Sequence, residues 1–223
     1  MDLEYFLNLQ KQQRTEIALI SNTNITVSND LFDRLQEETL IGLKLRKWCY
    51  EVGFLKEGDD FPDQGSKTEK LTVKLARTFI VNFYNGKEKS TVVKNVDLDK
   101  NIYEPYLCES GVMLDPVYER ITNEQGDFED KELIKAGKAF AALHKAQQIA
   151  VREGKGRITN SKGFRNKAIT ESVISSWSYI AGLLQGDSSR LKNHYSIPKT
   201  NKAIPDPLNA REMSIFHVKL IIC

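Results

Sequence analysis

Residues 130–153 repeat apolar side chains at the spacing of an α-helix, and this pattern constrains the fold more than any other feature. Leu133, Phe140 and Leu143 fall toward one face, and the alanine-rich composition favours a helix by intrinsic propensity. Residues 169–184 show the same periodicity, with Trp177 and branched side chains along one face, and we expect Phe140 and Trp177 to belong to the core. Both segments predict long helices, so we expect a mainly α-helical protein.

Shorter helices are predicted on either side of this pair. Apolar periodicity predicts helices over residues 2–20, 30–52 and 67–84, the last one preceded by a capping box that begins at Ser66. Near the carboxyl end, aspartates at helix-capping positions predict two further short helices, which begin after Asp187 and Asp206.

The pattern changes after residue 84. Asn85-Gly86 is a typical turn sequence. The short segments 90–96, 102–108 and 111–121 are rich in Val, Ile and Tyr and are separated by turn signals. They predict a small β-containing insert near residues 88–122.

Charge divides the chain into two unlike parts. Residues 1–130 contain 16 basic and 24 acidic residues, whereas residues 131–202 contain 14 basic and only 4 acidic ones. An acidic loop lies at the junction. We therefore predict an acidic helical region with the β insert over residues 1–126 and a basic helical region over residues 127–223.

The basic residues of the second part are arranged on a helix and on the loop that follows it. At about 100° per residue, the basic side chains of the helix fall in a stripe about 100° wide, opposite Phe140. The glycines of the loop let backbone N–H groups approach an anion. The predicted phosphate-contacting residues are Lys131, Lys135, Lys138, Lys145, Arg152, Lys155, Arg157, Lys162, Arg165 and Lys167.

This arrangement favours a non-catalytic nucleic-acid-binding protein that contacts the phosphates of DNA or RNA. Phe164 and Tyr195 can add base stacking, although two aromatic residues are few for single-strand binding. Two alternatives stay open. The cations can simply solvate an exposed helix, or the basic part can pair with the acidic part within or between subunits, as in a protein-interaction module.

Signals for catalysis are weak, and the sequence leaves open whether the protein is an enzyme. The glycine-rich basic loop lacks the GxxxxGK[ST] phosphate-binding pattern. The three histidines are too scattered for a zinc site, so neither a metal nor a cofactor is expected. Cys49 and Cys108 have apolar neighbours and are expected to be buried, inert thiols.

The carboxyl end is apolar from Ile215 to Cys223. We expect this segment to pack on the fold or to form a contact with a protein partner or with a second copy of the chain. The odd number of cysteines and the absence of a long apolar stretch indicate a cytoplasmic protein without a membrane partner.

Overall fold

A computed structural model of the chain describes residues 13, 28–39, 44–63, 70–90, 105–111, 115–126, 128–152 and 171–196, with the backbone alone at residue 39 and over residues 147–152. The described part is mainly helical. Its helices are α1 (Asn29–Thr39), α2 (Lys44–Val52), α3 (Val73–Lys89), α4 (Pro116–Gln125), α5 (Lys131–Arg152), α6 (Glu171–Leu183) and α7 (Ser188–Tyr195), with a 3₁₀ turn at Leu184–Gly186 between α6 and α7.

The predicted helix over residues 30–52 is two helices. Ser28 caps α1, because its hydroxyl accepts a hydrogen bond from the backbone N–H of Leu31 at 3.2 Å. At the start of α2, the carboxylate of Glu37 accepts a hydrogen bond from the backbone N–H of Arg46 at 3.1 Å. The same carboxylate pairs with the guanidinium of Arg46, also at 3.1 Å. A side chain near the end of α1 therefore satisfies a free N–H at the start of α2.

Helix α3 begins later and ends later than predicted. Its N-cap is Thr72, whose hydroxyl accepts a hydrogen bond from the N–H of Leu75. The predicted start at residue 67 is therefore wrong, and the whole capping box, residues 66–69, lies outside the described residues. The predicted turn at Asn85-Gly86 is also wrong, since α3 continues through both residues to Lys89.

The described residues contain no strand, and the predicted β insert is not supported where the structure describes it. Residues 105–111 are irregular and are held by Asn82, whose side chain forms hydrogen bonds with the backbone O and N–H of Tyr106. Residues 116–121 of the predicted segment 111–121 lie in α4. Asp115 caps this helix, because its side chain accepts hydrogen bonds from the N–H groups of Val117 and Tyr118, and Pro116 occupies the first helical position. Residues 91–104 and 112–114 lie outside the described part.

The helices predicted around the basic segment and Trp177 are confirmed as α5 and α6, and α7 begins at the predicted cap. Asp187 accepts a hydrogen bond from the backbone N–H of Arg190 at 3.0 Å. The predicted helices over residues 2–20 and after Asp206 are not covered by the described ranges, with residue 13 as the single exception.

Helices α2, α3, α4, α5 and α6 all contribute side chains to one hydrophobic core. Phe79 of α3, Phe140 of α5 and Trp177 of α6 meet in it, with ring centroids 5.0 to 6.0 Å apart. Helices α3 and α6 form the most extensive contact. Residues on both sides of position 126 thus share a core, and the predicted division of the chain there stays a prediction.

Candidate functional site

The lysine face of α5 consists of Lys131, Lys135, Lys138 and Lys145. All four side chains are exposed. At 1.5 Å per residue, the face is about 21 Å long, which corresponds to about six base-pair steps along a duplex axis. Arg152 is the last residue of α5, and its side chain is outside the described part. The predicted loop residues Lys155, Arg157, Lys162, Arg165 and Lys167 are outside it as well.

The opposite side of α5 fixes the orientation of this face. Leu133, Ala136 and Phe140 are fully buried. At Gly137 the helix approaches α2 so closely that a Cβ atom would lie 2.6 Å from a methyl carbon of Val52. Because the apolar side of α5 packs into the core over several turns, the helix cannot rotate its lysines away from solvent without unpacking.

Among the described residues, ion pairs connect the predicted acidic region (residues 1–126) with the predicted basic region (residues 127–223), but these pairs do not use the lysines of the face. Lys87 of α3 binds Asp130 and Glu132, both at 2.7 Å, and Lys74 binds Glu171 at 3.2 Å. In each pair the cation comes from the acidic part and the anion from the basic part.

Nor do the lysines of the face have acidic partners in the described structure. Among the residues it describes, none of the four lysines forms an ion pair. The acidic residue next to the face, Glu132, is held by Lys87 instead. This leaves the field of the lysine face open to an external anion.

Helix α7 contributes two residues beside this face: Tyr195, which the sequence already indicated as a stacking residue, and Lys192, which the predicted set did not include. It lies beside α5 and carries exposed Lys192. Tyr195, its last residue, is half-buried, and the ammonium of Lys135 lies over its ring at 6.0 Å from the centroid. The basic composition of α7 was a signal for its charge, but the proximity of Lys135 and Tyr195 depends on tertiary packing.

A buried polar cluster lies between α1 and α3. Arg77 is fully buried, with its guanidinium 3.9 Å from the carboxylate of Asp33 and over the ring of Tyr118. Asp33, also fully buried, accepts hydrogen bonds from the Ser110 hydroxyl at 2.7 Å and from the Gly111 N–H at 3.0 Å. Burial raises the pKa of Asp33 above its ordinary value, although both hydrogen bonds and the charge of Arg77 act to lower it. The cluster connects α1, α3 and residues 105–111, which is a structural role.

The described cysteines are unsuited to nucleophilic chemistry. Cys49 and Cys108 are both buried and free, as the sequence predicts. Burial raises the pKa of the Cys49 thiol well above its ordinary value and that of Cys108 to about 12. Since the thiolate is the reactive species, both side chains stay protonated at neutral pH.

Neither a metal cluster nor a membrane-spanning helix is found in the same part of the chain. No group of three or more His, Cys, Asp or Glu side chains that could hold a metal ion occurs among the described residues. No described helix combines the length and the apolar character needed to cross a membrane.

Comparisons of the chain with protein-family models, with curated proteins and with solved structures found no match in any of the three.

Proposed function

We propose that this protein binds nucleic acid through the lysine face of α5, chiefly by contacts to phosphates. One observation carries the proposal: four exposed lysines follow one side of a helix whose other side is fixed in the core. Charges on a rigid scaffold bind a polyanion at a lower entropy cost than charges on a mobile segment. The basic loop predicted after Arg152 extends the same surface in this proposal.

Phosphate contact, as opposed to base reading, is the mode that lysines favour. An ammonium group is a compact point charge with rotatable donors, whereas the bidentate recognition of bases depends mainly on Arg, Asn and Gln. The exposed residues of α5 before position 147 are the four lysines, Ala142 and Glu132, and Glu132 is paired with Lys87. Binding is therefore expected to depend strongly on salt and weakly on sequence.

The alternative of a module in which the acidic and basic parts pair is less well supported by the described contacts. The ion pairs that join the two parts use cations of the acidic part, as with Lys74 and Lys87, and none of them joins the lysine face to an acidic residue that the structure describes. Pairing between two copies of the chain stays a separate hypothesis, and concentration-dependent self-association at low salt would support it.

A binding titration of the full chain tests the proposal. Fluorescence anisotropy with labelled DNA and RNA of unrelated sequences is expected to show binding that weakens with salt. The logarithm of Kd should rise linearly with the logarithm of the salt concentration. If about four phosphates are neutralised, log K should fall with log salt at a slope of about −3.6 for duplex DNA. Affinity that is absent at low salt, or that does not change from low to moderate salt, would overturn the proposal.

A further inference from the structure

The aromatic end of α7 lies against the lysine face and is held in a fixed arrangement. The ring of Trp177 stacks on His194 at a centroid distance of 4.4 Å and on Tyr195 at 5.7 Å, with ring planes 27° and 21° apart. Trp177 is in turn packed against Phe140 of α5, 5.0 Å away. A chain of ring contacts therefore connects Tyr195 to the buried side of the same helix that carries the lysines.

Polar contacts fix the same end of α7. The Nε2 atom of His194 lies 3.0 Å from the backbone O of Trp177, within hydrogen-bonding distance. The amide of Gln185 donates a weak hydrogen bond to the hydroxyl of Tyr195 at 3.4 Å. Tyr195 is thus positioned by packing before any ligand arrives, which lowers the entropy cost of a contact to its ring.

Tyr195 lies beside a cation of the proposed phosphate-binding surface. Tyr195 is only half-buried, and the Lys135 ammonium lies over its ring. An aromatic ring beside a lysine combines the two contacts that single strands use, a base on the ring and a phosphate on the ammonium. In a duplex the bases are stacked on each other, so a protein ring cannot stack on a base without unstacking the helix.

We propose that Tyr195 and Lys135 form a stacking position for one unpaired base, so that the preferred ligand of the lysine face is single-stranded nucleic acid. This inference rests on the proposed function, because the strand is held along α5 by its phosphates. Lys135 then moves from the ring of Tyr195 to the phosphate beside the stacked base.

The first test compares two oligomers that carry the same number of phosphates. One is a single-stranded DNA with bases, and the other is an abasic deoxyribose-phosphate chain of equal length. The intact strand is expected to bind the full chain about 5- to 150-fold more tightly, which is the usual contribution of stacking one base. Equal affinities for the two oligomers would overturn the stacking position and leave phosphate binding in place. If neither oligomer shows salt-dependent binding, both proposals are overturned.

The second test identifies the ring. Tyr195→Leu should lose the preference for the intact strand and keep wild-type affinity for the abasic chain, while Tyr195→Phe should keep both. Preference retained in Tyr195→Leu overturns the assignment to Tyr195. If Tyr195→Leu does not fold, photocrosslinking of the wild-type protein to a 5-iodouracil oligomer decides: crosslinks that map to Tyr195 support the proposal, and crosslinks that map only to other residues overturn it.

Discussion

Gly86 of α3 lies against the backbone of α6, and Gly182 of α6 lies against the backbone of α3. A Cβ atom on Gly86 would overlap the carbonyl oxygen of Tyr179, and a Cβ atom on Gly182 would overlap that of Phe83. The same hypothetical atoms would come within 2.9 Å and 2.7 Å of backbone nitrogens. The two helices thus cross at a distance that only glycine permits, and the core around Phe140 and Trp177 depends on that crossing.

Replacement of the glycine on α6 is expected to push the two helices apart. Gly182→Ala should lower the free energy of unfolding by about 2–3 kcal/mol, because the obstructing atoms belong to the backbone and cannot rotate away. Gly186→Ala is the matched control, since its Cβ would have only an ordinary contact at 3.9 Å, and it should change stability by less than about 0.5 kcal/mol. Chemical denaturation measures both, and equal effects would contradict the close crossing.

Truncation of the aromatic core is expected to be costly. Phe140 is fully buried and contacts Phe79 and Trp177, so Phe140→Ala should destabilise the protein by about 3–5 kcal/mol. Leu107→Ala removes a large side chain that is 45% exposed and should cost less than about 1 kcal/mol. A loss below about 1 kcal/mol for Phe140→Ala, measured by denaturant unfolding, would mean that α5 is oriented differently.

The buried Asp33 predicts a pH dependence of stability. Its raised pKa means that the folded protein takes up a proton at a higher pH than the unfolded chain does. The contribution of Asp33 to the free energy of unfolding therefore increases as pH falls from neutral toward the ordinary aspartate pKa of about 3.9.

Asp33→Asn should remove that contribution. The amide oxygen can still accept a hydrogen bond from the N–H of Gly111, and the amide NH₂ can donate to Ser110. The pKa of Glu37 is also raised, chiefly by burial, so the variant should keep part of the dependence. Denaturant unfolding at pH 7, 6 and 5 is expected to give a smaller gain toward acid in Asp33→Asn than in the wild-type protein. The same gain in both would show that Asp33 titrates normally.

Periodicity was sufficient to predict α5 and α6, because each buries one continuous apolar face. It also predicted that Phe140 and Trp177 belong to the core. The prediction failed at Asn85-Gly86. Gly86 is required by its close contact with the backbone of Tyr179, which lies on another helix more than ninety residues later in the chain. A turn signal and a close helix crossing use the same residue type, so local sequence cannot separate them.

The failure at α4 has a different cause. Val117, Tyr118 and Ile121 are residue types typical of strands, and the prediction of a β-containing insert followed from residues of this kind. In the structure, Asp115 and Pro116 determine the start of a helix, and Tyr118 and Ile121 are buried on one side of it. The helical wheel alone predicted that the four lysines lie on one face of α5. The position of Tyr195 beside that face could not be predicted in this way, because it depends on how α7 packs against α5.

The most direct test of nucleic-acid binding by the lysine face compares two double variants with equal charge changes. Lys138→Gln with Lys145→Gln alters the face, and Lys56→Gln with Lys89→Gln alters exposed lysines elsewhere. The first double variant should bind labelled duplex DNA more weakly and should reduce the steepness of log K against log salt by about 1.8, because two phosphate contacts are lost. The second should match the wild-type protein in affinity and in slope. Equal affinities and equal slopes for the two double variants, with both folded by circular dichroism, would contradict the account.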